Sequence, residues 1–252
     1  YYKYETGRDT DHAVLHGSVG SEQFGTVMTK GDFNNDGVTD LAVASPTYSS
    51  LKISMRGKVS LFFGREDFGV DTEPSVTYVG SAQDHQLGAS LASGDINDDG
   101  VTDLIMGSLS ADKIYVVFGR KNQPLRQEID VSSKMIDLTF SGLLQGEKFG
   151  FSDDVFDLDQ DGYLDLFIGA TAGSVEENDR RGKVYVVLGR ESFGKMRKYD
   201  LAEHAADYVL LGTQKNNQFG ATLSHGDYNH DGFPDLAAGA YLARYGGNDQ
   251  RG

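Results

Sequence analysis

The sequence predicts an all-β fold assembled from one antiparallel unit of four strands that is repeated along the chain. A nine-residue acidic loop occurs four times, with first aspartates 63, 62 and 70 residues apart: DFNNDGVTD from Asp32, DINDDGVTD from Asp95, DLDQDGYLD from Asp157 and DYNHDGFPD from Asp227. A short apolar run follows every loop, and an alternating run that ends in Gly-Arg follows three of them. The chain also has 32 glycines but only 4 prolines, a balance that suits many short strands joined by tight turns.

Four strand signals recur around the loops in a constant order. A strand that begins with an aromatic residue or leucine and then glycine precedes each loop, as in FGTVMTKGD, LGASLASGD, FGFSDDVFD and FGATLSHGD. The runs after the loops are short, apolar and closed by small residues, which favours buried strands: DLAVAS, DLIMGS, DLFIGA and DLAAGA. A third strand is predicted over 58–65, 113–120 and 183–190, and a fourth in HAVLHG, SVTYVG, DLTFSG and YVLLG.

The repeated loop predicts a calcium site. Oxygen-bearing side chains occupy its first, third, fifth and ninth places, and glycine at the sixth place permits a tight turn. Calcium takes six to eight oxygen ligands at about 2.3–2.6 Å, which a short loop supplies from alternate residues and one carbonyl, here the seventh, so we expect about four Ca²⁺ ions. The predicted ligands are Asp32, Asn34, Asp36, Val38 and Asp40; Asp95, Asn97, Asp99, Val101 and Asp103; Asp157, Asp159, Asp161, Tyr163 and Asp165; and Asp227, Asn229, Asp231, Phe233 and Asp235.

The loop sequence has two other interpretations. A polar turn rich in Asp, Asn and Gly is common between strands, but four copies that all keep the ninth-place aspartate favour calcium. An EF-hand is excluded because it requires a glutamate at the twelfth loop position and a following helix. The twelfth positions here are apolar: Val43, Met106, Ile168 and Ala238.

A four-stranded sheet repeated in series is the plan of a β-propeller, whose neighbouring blades bury their faces against one another. We expect about four blade equivalents in one domain over 1–252. The predicted divisions are the last two strands of a split blade at 1–16, whole blades at 17–80, 81–143 and 144–212, and the first two strands of a split blade at 213–252. The chain is then either a segment of a larger propeller or a closed ring in which the split halves pair.

Composition and motifs exclude several classes of function. The net charge of −15 argues against nucleic acid or an anionic membrane surface as partner. No stretch approaches the roughly 18 apolar residues of a membrane span. The chain has no cysteine, and it contains no H-E-x-x-H, G-x-S-x-G or P-loop motif. The sequence therefore predicts a protein that is not an enzyme.

The order FG, GDxNxDGxxDL, a small-residue turn and GKVYVVxG resembles the FG-GAP repeat, and the resemblance covers essentially the whole chain. That repeat builds the head of integrin α subunits, the C-terminal part of glycosylphosphatidylinositol-specific phospholipase D and many secreted bacterial proteins. The resemblance implies an integrin-α-like propeller, with the calcium loop between the first and second strands of each blade.

We expect a calcium-binding propeller, secreted or at the cell surface, that serves as a non-catalytic module for protein interaction, adhesion or scaffolding. A protein or glycan ligand would dock on a propeller face built from the loops that vary between repeats, 46–57, 109–113 and 171–182, because binding residues usually lie on loops. One alternative is an accessory propeller domain of a larger secreted hydrolase that resembles the phospholipase. Another is a structural repeat of an extracellular filament or coat.

Two sets of polar residues are interpreted as structural. Arg65, Arg120 and Arg190 recur at one position of the repeat, which indicates pairing with a carbonyl or carboxylate group. His225 and His230 flank the fourth loop, and both are expected to be solvated turn residues.

Overall fold

The computed structural model describes residues 15–64, 73–121, 123, 126–175 and 179–244, and within these ranges the chain is all-β. One short 3-10 turn, Glu191–Lys195, interrupts the strands, and the described residues include no helix long and apolar enough to cross a bilayer. The strands are β1 (Met28–Gly31), β2 (Asp40–Ser45), β3 (Lys58–Phe62), β4 (Val76–Val79), β5 (Leu87–Gly94), β6 (Asp103–Ser108), β7 (Lys113–Val117), β8 (Gln127–Asp130), β9 (Leu138–Ser141), β10 (Phe149–Phe156), β11 (Asp165–Ala170), β12 (Lys183–Val187), β13 (Lys198–Asp200), β14 (Tyr208–Leu211), β15 (Thr222–Gly226) and β16 (Asp235–Gly239).

Each blade is an antiparallel sheet in which the four predicted strands are neighbours in chain order. The first blade has the order β1-β2-β3-β4, the second β5-β6-β7-β9 and the third β10-β11-β12-β14. β15 and β16 form a two-stranded antiparallel sheet. The structure thus confirms the repeated antiparallel unit, and the fold is a β-propeller assembled from these blades.

The first two blades also carry a fifth strand that the sequence does not predict. β8 pairs in parallel with β4, placing Ile129 beside Tyr78, and β13 pairs in parallel with β9, placing Tyr199 beside Phe140. Both added strands belong to the connection between the third and fourth strands of the next blade. The added strand pairs the outer edge of the preceding sheet, whose backbone groups would otherwise lack partners.

The hydrophobic core lies between consecutive blades. Tyr115 of β7 packs with first-blade residues that include Leu61 and Tyr78, and Tyr185 of β12 packs in a cluster that includes Phe140 of the second blade. The second strands β6 and β11 are buried along their whole length because both faces of their sheets are covered. Burial of these apolar faces is the main favourable term in such a fold, and it holds each blade against the next.

The register of each blade defines two opposite ends. In the first blade the acidic loop joins β1 to β2 next to the pair Gly31–Asp40. The connection from β2 to β3 lies at the other end of the sheet, next to the pair Ser45–Lys58. The second and third blades repeat this register. The inner strands β1, β5, β10 and β15 all contribute to one cavity of about 300 Å³. The acidic loops and the variable loops therefore lie on opposite faces of the propeller.

Some predicted features fall outside the described residues. These are 1–14, most of the first predicted split blade; Arg65, in the range 65–72; 176–178, in the predicted partner loop 171–182; and 245–252, at the end of the last predicted division. The domain divisions stay predictions.

Candidate metal centres

The acidic loop between β1 and β2 folds around its own carboxylates. Asp32 accepts hydrogen bonds from two loop amides, that of Asp36 at 3.0 Å on Oδ1 and that of Gly37 at 2.9 Å on Oδ2. Asp36 in turn accepts the amide of Val38 at 2.8 Å on Oδ1 and the Nδ2 group of Asn34 at 2.8 Å on Oδ2. These local bonds draw the first-, third- and fifth-place side chains into one turn.

The other three loops repeat this arrangement. The fifth-place amide donates to Oδ1 of the first-place aspartate at 3.1 Å in each of them: Asp99 to Asp95, Asp161 to Asp157 and Asp231 to Asp227. The sixth-place glycine amide donates to the other oxygen of the same aspartate at 2.7, 2.9 and 3.1 Å, respectively. All four loops therefore share one internal scaffold.

Two residues with left-handed backbone give the loop its shape. The sixth-place glycines have φ values of 86°, 85°, 97° and 90° in Gly37, Gly100, Gly162 and Gly232, which agrees with the turn role predicted for them. The fourth place is also left-handed, with φ values of 54°, 58°, 59° and 61° in Asn35, Asp98, Gln160 and His230. Sequence reasoning missed this place, although asparagine and aspartate in two of the four loops are the residues that best tolerate such a backbone.

The ninth-place aspartate closes the loop onto the blade. Asp40 accepts the amide of Phe33 at 2.8 Å and the amide of Gly64 at 2.8 Å. Asp103 and Asp165 make the same two contacts, at 3.0 and 2.9 Å and at 2.8 and 2.7 Å. The second donor is in each case the glycine of the Gly-Arg sequence, so this carboxylate joins the start of the loop to the end of the third strand.

Burial changes the acidity of these ninth-place groups. Desolvation raises the pKa of Asp40 to about 6 and that of Asp103 to about 8, against the opposing effect of the two amide bonds, and it raises the pKa of Asp165 as well. The first- and fifth-place carboxylates add to the rise in the pKa of Asp40 and Asp103, and the first- and third-place carboxylates add to that of Asp165. A divalent cation at the loop would act in the opposite direction, because a nearby positive charge favours the ionised carboxylate.

The donor set fits a calcium ion. In the third loop, one oxygen from each of Asp157, Asp159 and Asp165 lies within 4.8 Å of the other two. Two oxygens bound to the same calcium at 2.3–2.6 Å are separated by no more than about 4.6–5.2 Å. The other three loops carry asparagine at the third place, and its amide oxygen is an accepted calcium ligand.

The seventh-place carbonyl is the predicted backbone ligand of each loop. Within the described ranges, these carbonyls accept no hydrogen bond from a backbone amide: Val38, Val101, Tyr163 and Phe233. In the fourth loop Asp235 accepts the amide of Tyr228 at 2.9 Å, as its counterparts do in the other loops. The carboxylate cluster is found in the third loop, and the ligand assignments in the other loops stay predictions.

The loops also contact the next blade. The amide of Arg120, at the end of the second blade's third strand, donates to the carbonyl of Phe33 in the first loop at 3.0 Å. In the third loop, Nε2 of Gln160 donates to the carbonyl of Gly232 in the fourth loop at 2.8 Å. An ordered loop thus helps to hold two blades together.

The recurrent arginines pair as the sequence predicts. Arg120 donates to Asp137, and Arg190 donates to Asp207 at 2.6 Å. Each arginine also donates through Nε to the carbonyl two residues earlier, at 3.1 and 3.0 Å. The third member of the set, Arg65, lies outside the described residues.

His225 is not the turn residue that was expected. It lies within β15, its Nδ1 is 2.9 Å from Oδ2 of Asp154 in β10, and its ring stacks on Phe156 with centroids 4.7 Å apart. His230 is an exposed residue of the fourth loop, in agreement with expectation. The contact of His225 joins two inner strands 71 residues apart in the chain, so no local pattern could have indicated it.

The chain resembles two groups of known proteins. It is 38% identical over 99 residues to the phosphatidylinositol-glycan-specific phospholipase D of Homo sapiens, a match that covers 38% of this chain and 12% of that protein. It is 31% identical over 178 residues to integrin alpha-3 of Mus musculus, covering 69% and 16% of the two chains. Integrin alpha pat-2 of Caenorhabditis briggsae is 26% identical over 233 residues, covering 87% and 18%. The chain thus spans less than a fifth of the length of these relatives.

The repeat itself gives the clearest comparison. The FG-GAP repeat matches residues 24–62, 87–122, 149–187 and 219–252, and each matched segment contains one of the four acidic loops. Together the matched segments make up more than half of the sequence. The chain therefore belongs to the FG-GAP repeat family.

Proposed function

We propose that this chain is a calcium-binding propeller that acts outside the cell as a non-catalytic module for protein interaction, adhesion or scaffolding. The observation that carries the proposal is the loop scaffold, which occurs four times with the same hydrogen bonds. In each loop the ion would be held by the first-, third-, fifth- and ninth-place side chains and the seventh-place carbonyl. The solvent-exposed position of the loops suits extracellular calcium-binding modules, whose dissociation constants lie at about 10⁻⁴–10⁻³ M.

Calcium in these loops would be structural. Three or four carboxylates in one turn repel one another when ionised, and a divalent cation removes that repulsion. The ninth-place aspartate transmits the effect, because it bonds both the loop and the third strand of its blade. Ion binding would therefore stabilise the first hairpin of each blade and its attachment to the rest of the sheet.

The distribution of carboxylates supports a non-catalytic role. The first-place aspartates, and the ninth-place aspartates of the first three loops, already accept two backbone amides each, as Asp32 and Asp40 do. A carboxylate that binds amides and a cation is a weak general base, since both favour the ionised form and lower its affinity for a proton. The loops are better suited to holding an ion than to moving a proton.

The partner would dock on the face opposite the acidic loops. The connections between second and third strands lie there, and they vary in length between blades. Leu51 is fully exposed in the first of these connections and Val175 is 53% exposed in the third. Apolar side chains presented on a rigid scaffold suit contact with a protein or glycan ligand.

One observation favours a second candidate. The identity to the phospholipase, 38% over 99 residues, exceeds that to integrin alpha-3 at 31%. The chain would then be the accessory propeller of a larger hydrolase whose catalytic residues lie elsewhere. Purified chain should hydrolyse no phosphodiester or ester substrate under either proposal, so turnover by this chain alone would contradict both.

Calorimetric titration tests the metal proposal directly. Chelated, dialysed protein titrated with calcium should bind about four ions, with affinities in the range of extracellular modules. Magnesium should bind far more weakly, because it demands octahedral geometry at about 2.0–2.1 Å. Loops that remain empty at millimolar calcium would overturn the proposal.

A further inference from the structure

The third blade contains a buried ion pair at a position that can be compared with the equivalent positions of the other blades. Lys183, the first residue of β12, donates through Nζ to Oε1 of Glu147 at 2.6 Å. Tyr185, two residues further along the strand, donates its hydroxyl to Oε2 of the same glutamate at 2.7 Å. The side chains of Lys183 and Glu147 are only 9% and 5% exposed. One carboxylate thus receives both an ammonium group and a phenol inside the blade interface.

The first blade has a related pair. Lys58 opens β3 and donates to Oε2 of Glu22 at 2.8 Å, with both side chains buried. Glu22 and Glu147 hold the same place in the repeat, two residues before the FG pair. The lysine that opens the third strand therefore binds a carboxylate in two of the three whole blades.

In the second blade the carboxylate is missing. Lys113 and Tyr115 occupy the same places on β7 that Lys183 and Tyr185 occupy on β12, but the residue two places before the Leu87–Gly88 pair is His85. Within the described ranges Lys113 forms no ion pair. An imidazole carries no negative charge in either protonation state, so His85 cannot replace the glutamate as a partner for the lysine. Burial lowers the pKa of His85, and the charge of Lys113 lowers it further.

A cavity of about 570 Å³ opens at this point, a volume typical of small-molecule sites. Lys113 and Tyr115 line it, together with three further cationic residues, Lys134, Arg197 and Lys198. No acidic residue is among the described residues that line it. In a chain with a net charge of −15, the four cationic side chains around this cavity outnumber the two carboxylates bonded to its lining, Asp200 at Lys198 and Asp130 at Ser132.

The partners of these cations leave them able to bind a ligand. Arg197 donates through Nη1 to two backbone carbonyls, of Lys134 at 3.0 Å and of Ile136 at 3.2 Å, which orients its guanidinium group. Lys198 lies 3.3 Å from Asp200, a weak exposed pair. Hydroxyl groups supply most of the remaining polar lining: Ser81, Ser132, Ser133 and Thr139. The site therefore offers positive charge and hydroxyl hydrogen bonds beside an apolar wall that includes Val131 and Ile136.

We propose that this cavity binds a polycarboxylate ligand, one carboxylate of which takes the position that Glu147 fills in the third blade. Lys113 and Tyr115 donate to that carboxylate, and the further cations bind a second negative group. The ligand is either a free dicarboxylate or the uronate residues of an acidic saccharide, which share this chemistry. The proposal deepens the proposed function, since Lys113 lies at the end of the second blade opposite its acidic loop.

Binding of two probes to the full chain at fixed excess calcium tests the proposal. Glutarate reproduces a glutamate side-chain carboxylate with a second charge, and trigalacturonate presents uronate groups on a saccharide. Both should bind the parent protein, and preference for one identifies the source of the ligand. Inorganic sulfate at the same concentration should compete poorly, because the proposed site takes two separate carboxylates, one at Lys113 and Tyr115 and one at the further cations. Lack of binding by both carboxylate probes at about 10 mM, where even weak sites are occupied, would overturn the proposal.

Three variants locate the site. Lys113→Met should weaken binding of either probe tenfold or more, the loss expected for a charge-assisted hydrogen bond. His85→Glu places a carboxylate on the protein where the third blade has Glu147, so it should abolish binding while keeping or raising the melting temperature. Lys52→Met, an exposed lysine outside the cavity, is the matched control and should leave binding unchanged.

The outcomes separate this proposal from the calcium proposal. Calcium stoichiometry, measured in the same samples, should be unaltered in all three variants, because none of the substitutions touches an acidic loop. Undiminished glutarate and trigalacturonate binding in both Lys113→Met and His85→Glu would overturn the anion site whatever the calcium result. If a variant fails to fold, the other variant still decides.

Discussion

The carboxylate of Asp103 accepts the amide of Gly119 at 2.9 Å, although the two residues lie 16 positions apart in the chain. Its second oxygen accepts the amide of Ile96 inside the acidic loop at 3.0 Å. One buried side chain therefore connects the loop to the end of the third strand. Because this connection recurs in the first and third blades, we expect ion binding at the loops and stability of the sheets to be coupled.

Removal of calcium should destabilise the propeller. A site saturated at about 100 times its dissociation constant contributes about 2.7 kcal/mol, which corresponds to about 5–10 °C in melting temperature for a domain of this size. Thermal unfolding followed by circular dichroism, with chelator and with excess calcium, measures the shift. Superimposable melting curves would show that calcium is not structural, and recovery by magnesium alone would show that the site is not selective.

Calcium affinity at the second loop should depend on the charge of Asp99, a predicted ligand, and not on that of its neighbour Asp98. In Asp99→Asn the new amide group faces Nδ2 of Asn97, which donates to Oδ2 of Asp99 at 3.0 Å, so two donors meet. We expect at least a tenfold loss of calcium affinity at this loop, or about 1.4 kcal/mol. Asp98→Asn removes the same charge one residue away and keeps a residue type that tolerates the φ of 58°. Equal affinities of the two variants in calorimetric titration would contradict the ligand assignment.

Loss of the buried carboxylate in the third blade should be costly. Glu147→Ala leaves the ammonium group of Lys183 without its partner at 2.6 Å, and removing one member of a buried ion pair costs about 3–5 kcal/mol. Glu203→Ala, which removes an exposed glutamate, is the control and should change stability by less than about 0.5 kcal/mol. Denaturant unfolding of both variants in calcium checks the difference, and a change in Glu147→Ala as small as that in the control would refute the structural role.

A buried carboxylate on the third inner strand should make stability depend on pH. Asp153 occupies a place that is apolar in the other repeats, as Met28, Leu91 and Leu223 show. Its two carboxylate oxygens are buried. Burial raises its pKa from 3.8 to about 7; the charge of Asp154 adds to the rise, and the Ser90 hydroxyl opposes it.

The direction of that dependence follows from the raised pKa. A carboxyl group whose pKa is higher in the folded than in the unfolded protein favours folding below the lower value and loses that contribution as pH rises through the higher one. We therefore expect Asp153→Leu to stabilise the protein by several degrees at pH 8 and by less at pH 5. Calcium is kept in excess at both pH values, so that the acidic loops, which the parent protein and the variant share, stay in the same state. A difference in melting temperature that is constant between pH 5 and 8 would argue against this account.

Much of the fold and of the metal centres is readable in the sequence. The acidic loop lies within nine residues, and its bonds join groups two to seven residues apart, such as Asp32 to Gly37 and Asp40 to Phe33. The strands on either side carry their own apolar patterns. Such features depend on local spacing and on burial of one short segment, so their identity and order could be predicted without the fold.

Other features depend on contacts between segments that are distant in the chain. The parallel addition of β8 to β4 joins residues about fifty positions apart, and the contact of His225 with Asp154 crosses from one blade to the next. The histidine that replaces glutamate at position 85 is visible in the sequence, but its consequence is not. Only the third blade, where Lys183 binds Glu147 across 36 residues, shows what Lys113 lacks. The sequence by itself determined the repeated loops and strands because they obey short-range rules. The tertiary structure decided the added strands and the cationic cavity, because both arise from packing one blade against the next.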